Sequence, residues 1–177
     1  DPLAGTAPTM TIEENLAIAY ARTKRAGLSF GVTNKRKLFF KEKLEELHLG
    51  LENRLSAKVG LLSGGERQAL SLLMATFTEP DILLLDEHTA ALDPSRAQLI
   101  TELTKKIVRE HKLTTLMVTH NMQQALDLGN RLIMMDSGEI IYEADQNAKQ
   151  TLTIDQLMNE FQKLKRNTQI SDRSLLG

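Results

Sequence analysis

Three short stretches carry residue types whose spacing could do chemistry. Ser63-Gly64-Gly65-Glu66 puts two glycines where a helix is about to begin. Serine followed three residues later by glutamate is a capping box, so Gly64 and Gly65 fall in the first helical turn. Backbone N–H groups there have no partner inside the helix. Bare of side chains, they can approach an external acceptor closely, and the helix dipole favours an anion at that end. Glycine costs a helix interior about 1 kcal/mol relative to alanine, so two in succession need a reason. Phosphate binding is one; a tight turn into a capped helix, with no ligand, is the other.

The second stretch is Ile82-Leu83-Leu84-Leu85-Asp86-Glu87. Its wholly apolar run predicts a strand buried on both faces, as in a parallel sheet. Two carboxylates at the end of such a strand are costly unless something positive meets them. The carboxyl edge of a parallel sheet is also where open α/β folds bind ligands. Asp86 would then hold a hydrated Mg²⁺. Glu87 would orient and deprotonate a water, a role worth about 10²–10⁴ in rate. The plainer alternative makes Glu87 a solvated strand end and Asp86 a helix cap. His120 closes the third stretch, Val118-Thr119-His120, where a lone histidine is as readily structural as catalytic. His48, His88 and His111 receive no role, and no two histidines have metal-ligand spacing.

The elements that must position these residues can be read from periodicity and caps. Thr11 and Glu14 predict a capped helix from Ile12 to about Arg22, and a second helix runs from about Asn34 to Leu47. Gly27 to Val32 reads as a loop. Helices dominate up to Phe77; Thr78-Glu79-Pro80-Asp81 is then a turn into the Ile82 strand. Asp93 caps a helix with Pro94 at its first position, reaching about His111. Thr114 to Thr119 is the next strand, and a short helix runs from Gln123 to near Gly129. Leu132–Met135 and Glu139–Tyr142 flank a hairpin turn at Asp136-Ser137-Gly138. Thr153 and Gln156 cap a last helix with an apolar stripe of Ile154, Leu157, Met158, Phe161 and Leu164, ahead of a polar tail from Arg166. A helical first part and a strand-helix-strand second part predict an α/β layer with a helical appendage.

Composition narrows the class. The 177 residues hold 22 basic and 23 acidic side chains, a net charge of -1 that gives no reason to expect nucleic acid. There is no cysteine, which removes disulfides and thiolate metal sites. No apolar run approaches the roughly 20 residues that cross a bilayer, so no direct membrane insertion is expected.

Together these pieces resemble the nucleotide-binding subunit of an ABC transporter. Leu62-Ser63-Gly64-Gly65-Glu66 resembles the family signature and Ile82 to Glu87 the Walker B strand with its catalytic glutamate. Ala91-Leu92-Asp93 resembles the D-loop, and His120 the switch histidine. Asp86 to Pro94 is similar to a bacterial branch tied to tryptophan/tyrosine-type or other amino-acid uptake. The resemblance implies an incomplete P-loop NTPase domain: residues 1–78 an α-helical subdomain ending in the signature helix, 79–145 part of the α/β core, and 146–177 a C-terminal helix and tail. It implies ATP and Mg²⁺, a head-to-tail partner subunit, permease subunits, and a place on the cytoplasmic face of the plasma membrane. Glu87 and His120 would be catalytic, Asp86 the metal residue, and Ser63, Gly64, Gly65, Glu66 and Asp93 the nucleotide contacts.

Three departures stand out. His88 occupies a position where proline is more usual, and Ala69 and Met74 stand where many members carry arginines. The third is larger, since no glycine in the chain is followed by lysine, so the Gly-Lys-Ser/Thr phosphate loop is missing. Asp1-Pro2-Leu3 resembles the segment just after the family's Q-loop glutamine. The chain is therefore expected to be inactive alone and to expose an apolar patch or sheet edge where companion strands belong. The competing expectation is a regulatory module offering only its signature face, and a soluble ABC ATPase acting on DNA or ribosomes is a third.

Overall fold

The computed structural model describes residues 5–22, 32–77 and 79–162, so most of the expected Gly27–Val32 loop and the tail from Arg166 lie outside the described residues. The chain divides into two compact units, Asp1–Met117 and Val118–Gly177.

The first unit opens with α1 (Ile12–Ala21), begun by the full Thr11–Glu14 capping box. Its buried Asn15 ties the preceding loop down, accepting from Ala7 N–H at 2.7 Å and donating to Ala7 and Thr11 carbonyls. α2 (Asn34–Glu45) starts at the Thr33 cap and stops two residues short of expectation, at the Glu46 C-cap. Phe40 and Leu44 are its fully buried residues, and Tyr20, Phe39, Phe40 and Phe77 gather into one aromatic cluster. Two short 3₁₀ turns, Leu51–Asn53 and Val59–Leu61, then lead to α3 (Gly64–Thr76). An antiparallel bridge, Thr11 with Lys58, joins this segment to the start of α1.

α3 is the centre of the core, with Ala69, Leu70, Leu72, Leu73 and Met74 all buried. Ala69 and Met74 thus sit where an arginine would need a buried partner, which explains the apolar choice at both positions. The rest of the unit is a strand-helix-strand crossover. β1 (Ile82–Asp86) and β2 (Thr114–Val118) form a two-stranded parallel sheet, joined by α4 (Pro94–Glu110). α4 is capped by Asp93 with Pro94 following, and turns Ile100, Leu103 and Ile107 into the core.

The expectation that β1 is buried on both faces is wrong. Leu83 and Leu85 are 5% and 8% exposed, but Ile82 and Leu84 between them are 50% and 65% exposed. Leu116 and Val118 on β2 are also more than half exposed. α4 and the helical core cover one side; no described residue covers the other. The expected uncovered apolar surface is therefore a sheet face, and the alternation that the four-residue run could not reveal is imposed by the pleat.

The second unit contains α5 (Met122–Asp127), β3 (Leu132–Asp136), β4 (Glu139–Ala144), α6 (Gln146–Thr151) and α7 (residues 154–162). β3 and β4 are the expected hairpin, two residues longer on β4, with a register shift between Met134 and Met135. Its turn uses left-handed Ser137 and Gly138. α6 was not expected. It delivers Lys149, 8% exposed, whose Nζ donates to the carbonyls of Leu128 and, at 3.0 Å, Gly129 beyond the end of α5. Burial lowers the Lys149 pKa, opposed by the nearby Asp127 charge. Thr153 and Gln156 cap α7 as expected, but among the described residues of the apolar stripe only Leu157 is fully buried; Ile154 and Met158 are 38% exposed, and Leu164 lies outside the described residues. Among the described residues no helix is long and apolar enough to cross a membrane.

Candidate nucleotide-contacting site

The signature turn is built from both ends of its capping box. Ser63 Oγ accepts from the Glu66 N–H at 3.3 Å, and Glu66 Oε2 accepts from the Ser63 N–H at 2.7 Å. Arg54, from the segment before, donates to Glu66 Oε1 at 2.7 Å. Burial alone would raise the Glu66 pKa, but the Ser63 hydrogen bonds and the Arg54 charge outweigh it and the net shift is downward. Glu66 is thereby committed to holding the turn. Ser63 Oγ, used as an acceptor, keeps its proton for a donor role, and the Gly64 and Gly65 N–H groups are the first two of the helix, with no intrahelical acceptor.

Gly64 is half-buried and Gly65 buried, and the neighbour of both is the start of α4. A Cβ on Gly64 would lie 3.2 Å from Leu92 Cδ2, tighter than comfortable contact. A Cβ on Gly65 would meet the Arg96 stem at 3.5–3.7 Å, which is ordinary packing. Intrachain packing therefore gives Gly64 a partial steric reason and Gly65 none.

Asp93 is engaged as the α4 N-cap: Oδ1 accepts from the Arg96 N–H at 3.1 Å and Oδ2 pairs with Arg96 Nε at 3.3 Å. The structure thus brings Ser63, Gly64, Gly65 and Glu66 together with Asp93, through Arg96.

Asp86 ends β1 and Glu87 follows it, both exposed. Glu87 has φ +43°, a left-handed conformation that costs a non-glycine residue on the order of 1 kcal/mol and concentrates at functional sites. Among the described residues no cluster of three His, Cys, Asp or Glu is placed to hold a metal. Asp86 and Glu87 themselves offer oxygen donors, the kind Mg²⁺ takes one or two at a time beside its waters and substrate phosphates. Next to Glu87, half-buried His88 is fixed on α4. Thr104 Oγ1 donates to the Ile100 carbonyl at 2.8 Å, so at 3.2 Å it accepts from His88 Nε2, which assigns that nitrogen the proton. Burial lowers the His88 pKa.

His120 belongs to the second unit, two residues past the end of β2 rather than on it. Its neighbours are pinned: Thr119 Oγ1 donates to Gln124 Oε1 at 2.7 Å, and Asn121 caps α5 through the Gln124 N–H at 3.0 Å.

Sequence reasoning missed Arg54, Arg96 and the His88–Thr104 bond. Arg96, three residues after a cap, carried a usable signal: an i,i+3 charge pair with Asp93. The others join residues 12 and 16 apart and had none.

The ABC transporter family model matches residues 4–90. The chain is 45% identical over 162 residues to the tyrosine transport ATP-binding protein of Clostridioides difficile, covering 92% of this chain and 64% of that protein. It is 40% identical over 105 residues to the methionine import ATP-binding protein MetN 2 of Bacillus cereus, 58% of this chain and 31% of that one. The chain thus spans less than two thirds of the length of either relative. Among solved structures, an ATP-binding cassette captured as a post-hydrolysis dimer with ADP and phosphate matches at TM-score 0.64 and 30% identity, over 80% of this chain and 59% of that one. The ADP conformation of another cassette, 24% identical with TM-score 0.66 over 81% and 58% of the two chains, agrees in fold. With the signature turn, the strand-end carboxylates and these likenesses in hand, the chain belongs to the ABC transporter family and has the P-loop NTPase fold of its ATP-binding subunits.

Proposed function

We propose that this chain is part of the ATP-hydrolysing subunit that powers an ABC importer for an aromatic amino acid, tyrosine being the substrate named for its 45% identical relative. It works as a head-to-tail pair with a second such subunit, held to permease subunits at the cytoplasmic face of the membrane. The observation that carries this reading is the α3 N-terminus: a capping box that occupies Ser63 and Glu66 backbone groups while leaving the Gly64 and Gly65 amides pointing out of the first turn.

Those two amides, with the Ser63 hydroxyl, receive the terminal phosphate oxygens of ATP held by the opposite subunit. Mg–ATP, when bound, supplies the phosphoanhydride to be cleaved and a cation that neutralises charge on its oxygens. Asp86 binds the hydrated Mg²⁺. Glu87, set off the strand axis by its left-handed backbone, accepts a proton from the attacking water. His120 donates to the γ-phosphate, and Asp93 carries contact between the two sites. Closure and reopening of the pair shift the permease between states. The chain holds no Gly-Lys-Ser/Thr loop, so we infer that turnover requires residues outside it.

The test is Glu87→Gln in the full-length protein. Turnover falls about 10²–10⁴-fold with ATP binding retained; a variant that still hydrolyses ATP at the normal rate removes Glu87 from this role. Joining a segment that carries a Gly-Lys-Ser/Thr loop to the present chain gives turnover, whereas a module that only lends its signature face to a complete partner gains none.

A further inference from the structure

We infer that Arg96 is a positioning residue that locks the D-loop aspartate to the signature turn of the same chain. The inference rests on the nucleotide reading above and assigns to that site a residue outside its motifs.

Arg96 makes two kinds of contact, each with a different motif. Its backbone N–H and its Nε take one oxygen each of Asp93, at 3.1 and 3.3 Å, so both oxygens of that carboxylate are oriented by a single residue. Its Cβ, Cγ and Cδ lie across buried Gly65, 3.5–3.7 Å from where a Cβ would stand. Leu92, beside Asp93, lies over Gly64 more tightly, its Cδ2 3.2 Å from where a Cβ would stand. Gly65 and Asp93, 28 apart in sequence, are thus linked through Arg96 where two helices start. A shift of the Gly65 amide toward a phosphate changes the packing beneath the Arg96 stem, and Asp93 is paired to that side chain.

Stability does not account for the pairing. Asp93 and Arg96 are each about half exposed, where an ion pair contributes little. The cap itself needs only the Asp93 oxygen nearest the backbone, a role asparagine fills equally well. What the side chain adds is a fixed direction for the second oxygen.

Three variants of the full-length protein separate the parts. Arg96→Met keeps an unbranched stem on Gly65 but drops the pair with Asp93; Arg96→Ala drops both; Arg96→Lys restores a cation. With thermal midpoints matching wild type, Arg96→Met lowers kcat about fivefold to tenfold and leaves KM for ATP unchanged, the behaviour of misplaced rather than missing groups. Arg96→Ala lowers kcat further and weakens ATP-driven dimerisation measured in a Glu87→Gln background. Arg96→Lys recovers part of the loss. If Arg96→Ala fails to fold, the Met and Lys variants decide. Wild-type kcat in Arg96→Met, or a loss of melting temperature with unchanged turnover per folded molecule, overturns the inference. A wild-type rate in Glu87→Gln would bring down the nucleotide reading itself. An inactive Glu87→Gln beside fully active Arg96 variants would bring down only the role of Arg96.

Discussion

The two motif-bearing parts of the first unit differ in how they are held. The signature turn starts a helix that buries Ala69, Leu70, Leu72 and Leu73 in the core, and is cross-braced by Ser63, Glu66 and Arg54. The carboxylate end, Asp86-Glu87, sits on a strand with one face covered and the other open. The His88–Thr104 bond ties the residue after it to α4. The signature half thus has its supports within this chain, whereas the strand that carries the carboxylates leaves one apolar face open among the described residues.

Adjacent leucines on β1 put the sharpest strain on that comparison. Leu83→Ala removes a buried side chain and should cost about 2–5 kcal/mol in urea unfolding. Leu84→Ala, 65% exposed, should cost less than about 0.5 kcal/mol in this chain. In the full-length protein, a Leu84→Ala cost rising toward that of Leu83 would mean the open face is covered there. Equal small costs in both would mean that the carboxylate half stands without a second layer, and the contrast would fail.

What the sequence made legible was local. Capping boxes at Thr11, Ser63 and Thr153, the Asp93-Pro94 start and the hairpin turn are set by residues three or four apart, and all appear where their spacing puts them. The residues proposed for the candidate site could be singled out for the same reason, each lying in a short fixed pattern. The open face of β1 was not, because Ile-Leu-Leu-Leu has no polar residue to mark the outward side. Nor were Arg54, Lys149 and Thr104, whose partners are brought near only by tertiary packing. Lys149 is the extreme case: a lysine in a polar helix gives no sign that it will be buried against two carbonyls 20 and 21 residues away.

A smaller effect tests the braces of the signature turn. Glu66→Ala removes the carboxylate that accepts from Ser63 and Arg54, and should lower stability by about 1–2 kcal/mol, the scale of a lost cap. Glu66→Gln still reaches the Ser63 N–H, as glutamine does in a capping box, and should cost well under half of that. The downward pKa shift fixes the sign with pH. The native state holds the ionised form more firmly than the unfolded chain, so this contribution is present above the unfolded value of about 4.5 and disappears as pH falls through the lower folded one. Acid titration of stability should therefore be flatter in Glu66→Gln than in wild type. Identical titrations would show that the signature turn is not braced by this charge.

The smallest expected effect concerns the anchor of the other half. Burial disfavours the His88 imidazolium, so its folded pKa lies below the ordinary 6.5. The unfolded chain consequently binds a proton more readily, and stability rises with pH across that window. The contribution of neutral His88 is complete above about pH 6.5 and declines as pH falls toward the folded value. His88→Gln retains an N–H donor for Thr104 Oγ1 but cannot titrate, so denaturation midpoints should fall less between about pH 7 and pH 5 than they do in wild type. The same variant bears on chemistry. Glu87 holds a strained φ of +43° immediately before this anchor. If the Thr104 bond is what maintains that conformation, His88→Gln should keep turnover near normal and His88→Ala should lose it at unchanged ATP affinity. Equal turnover in the two would detach the strain at Glu87 from the His88–Thr104 bond.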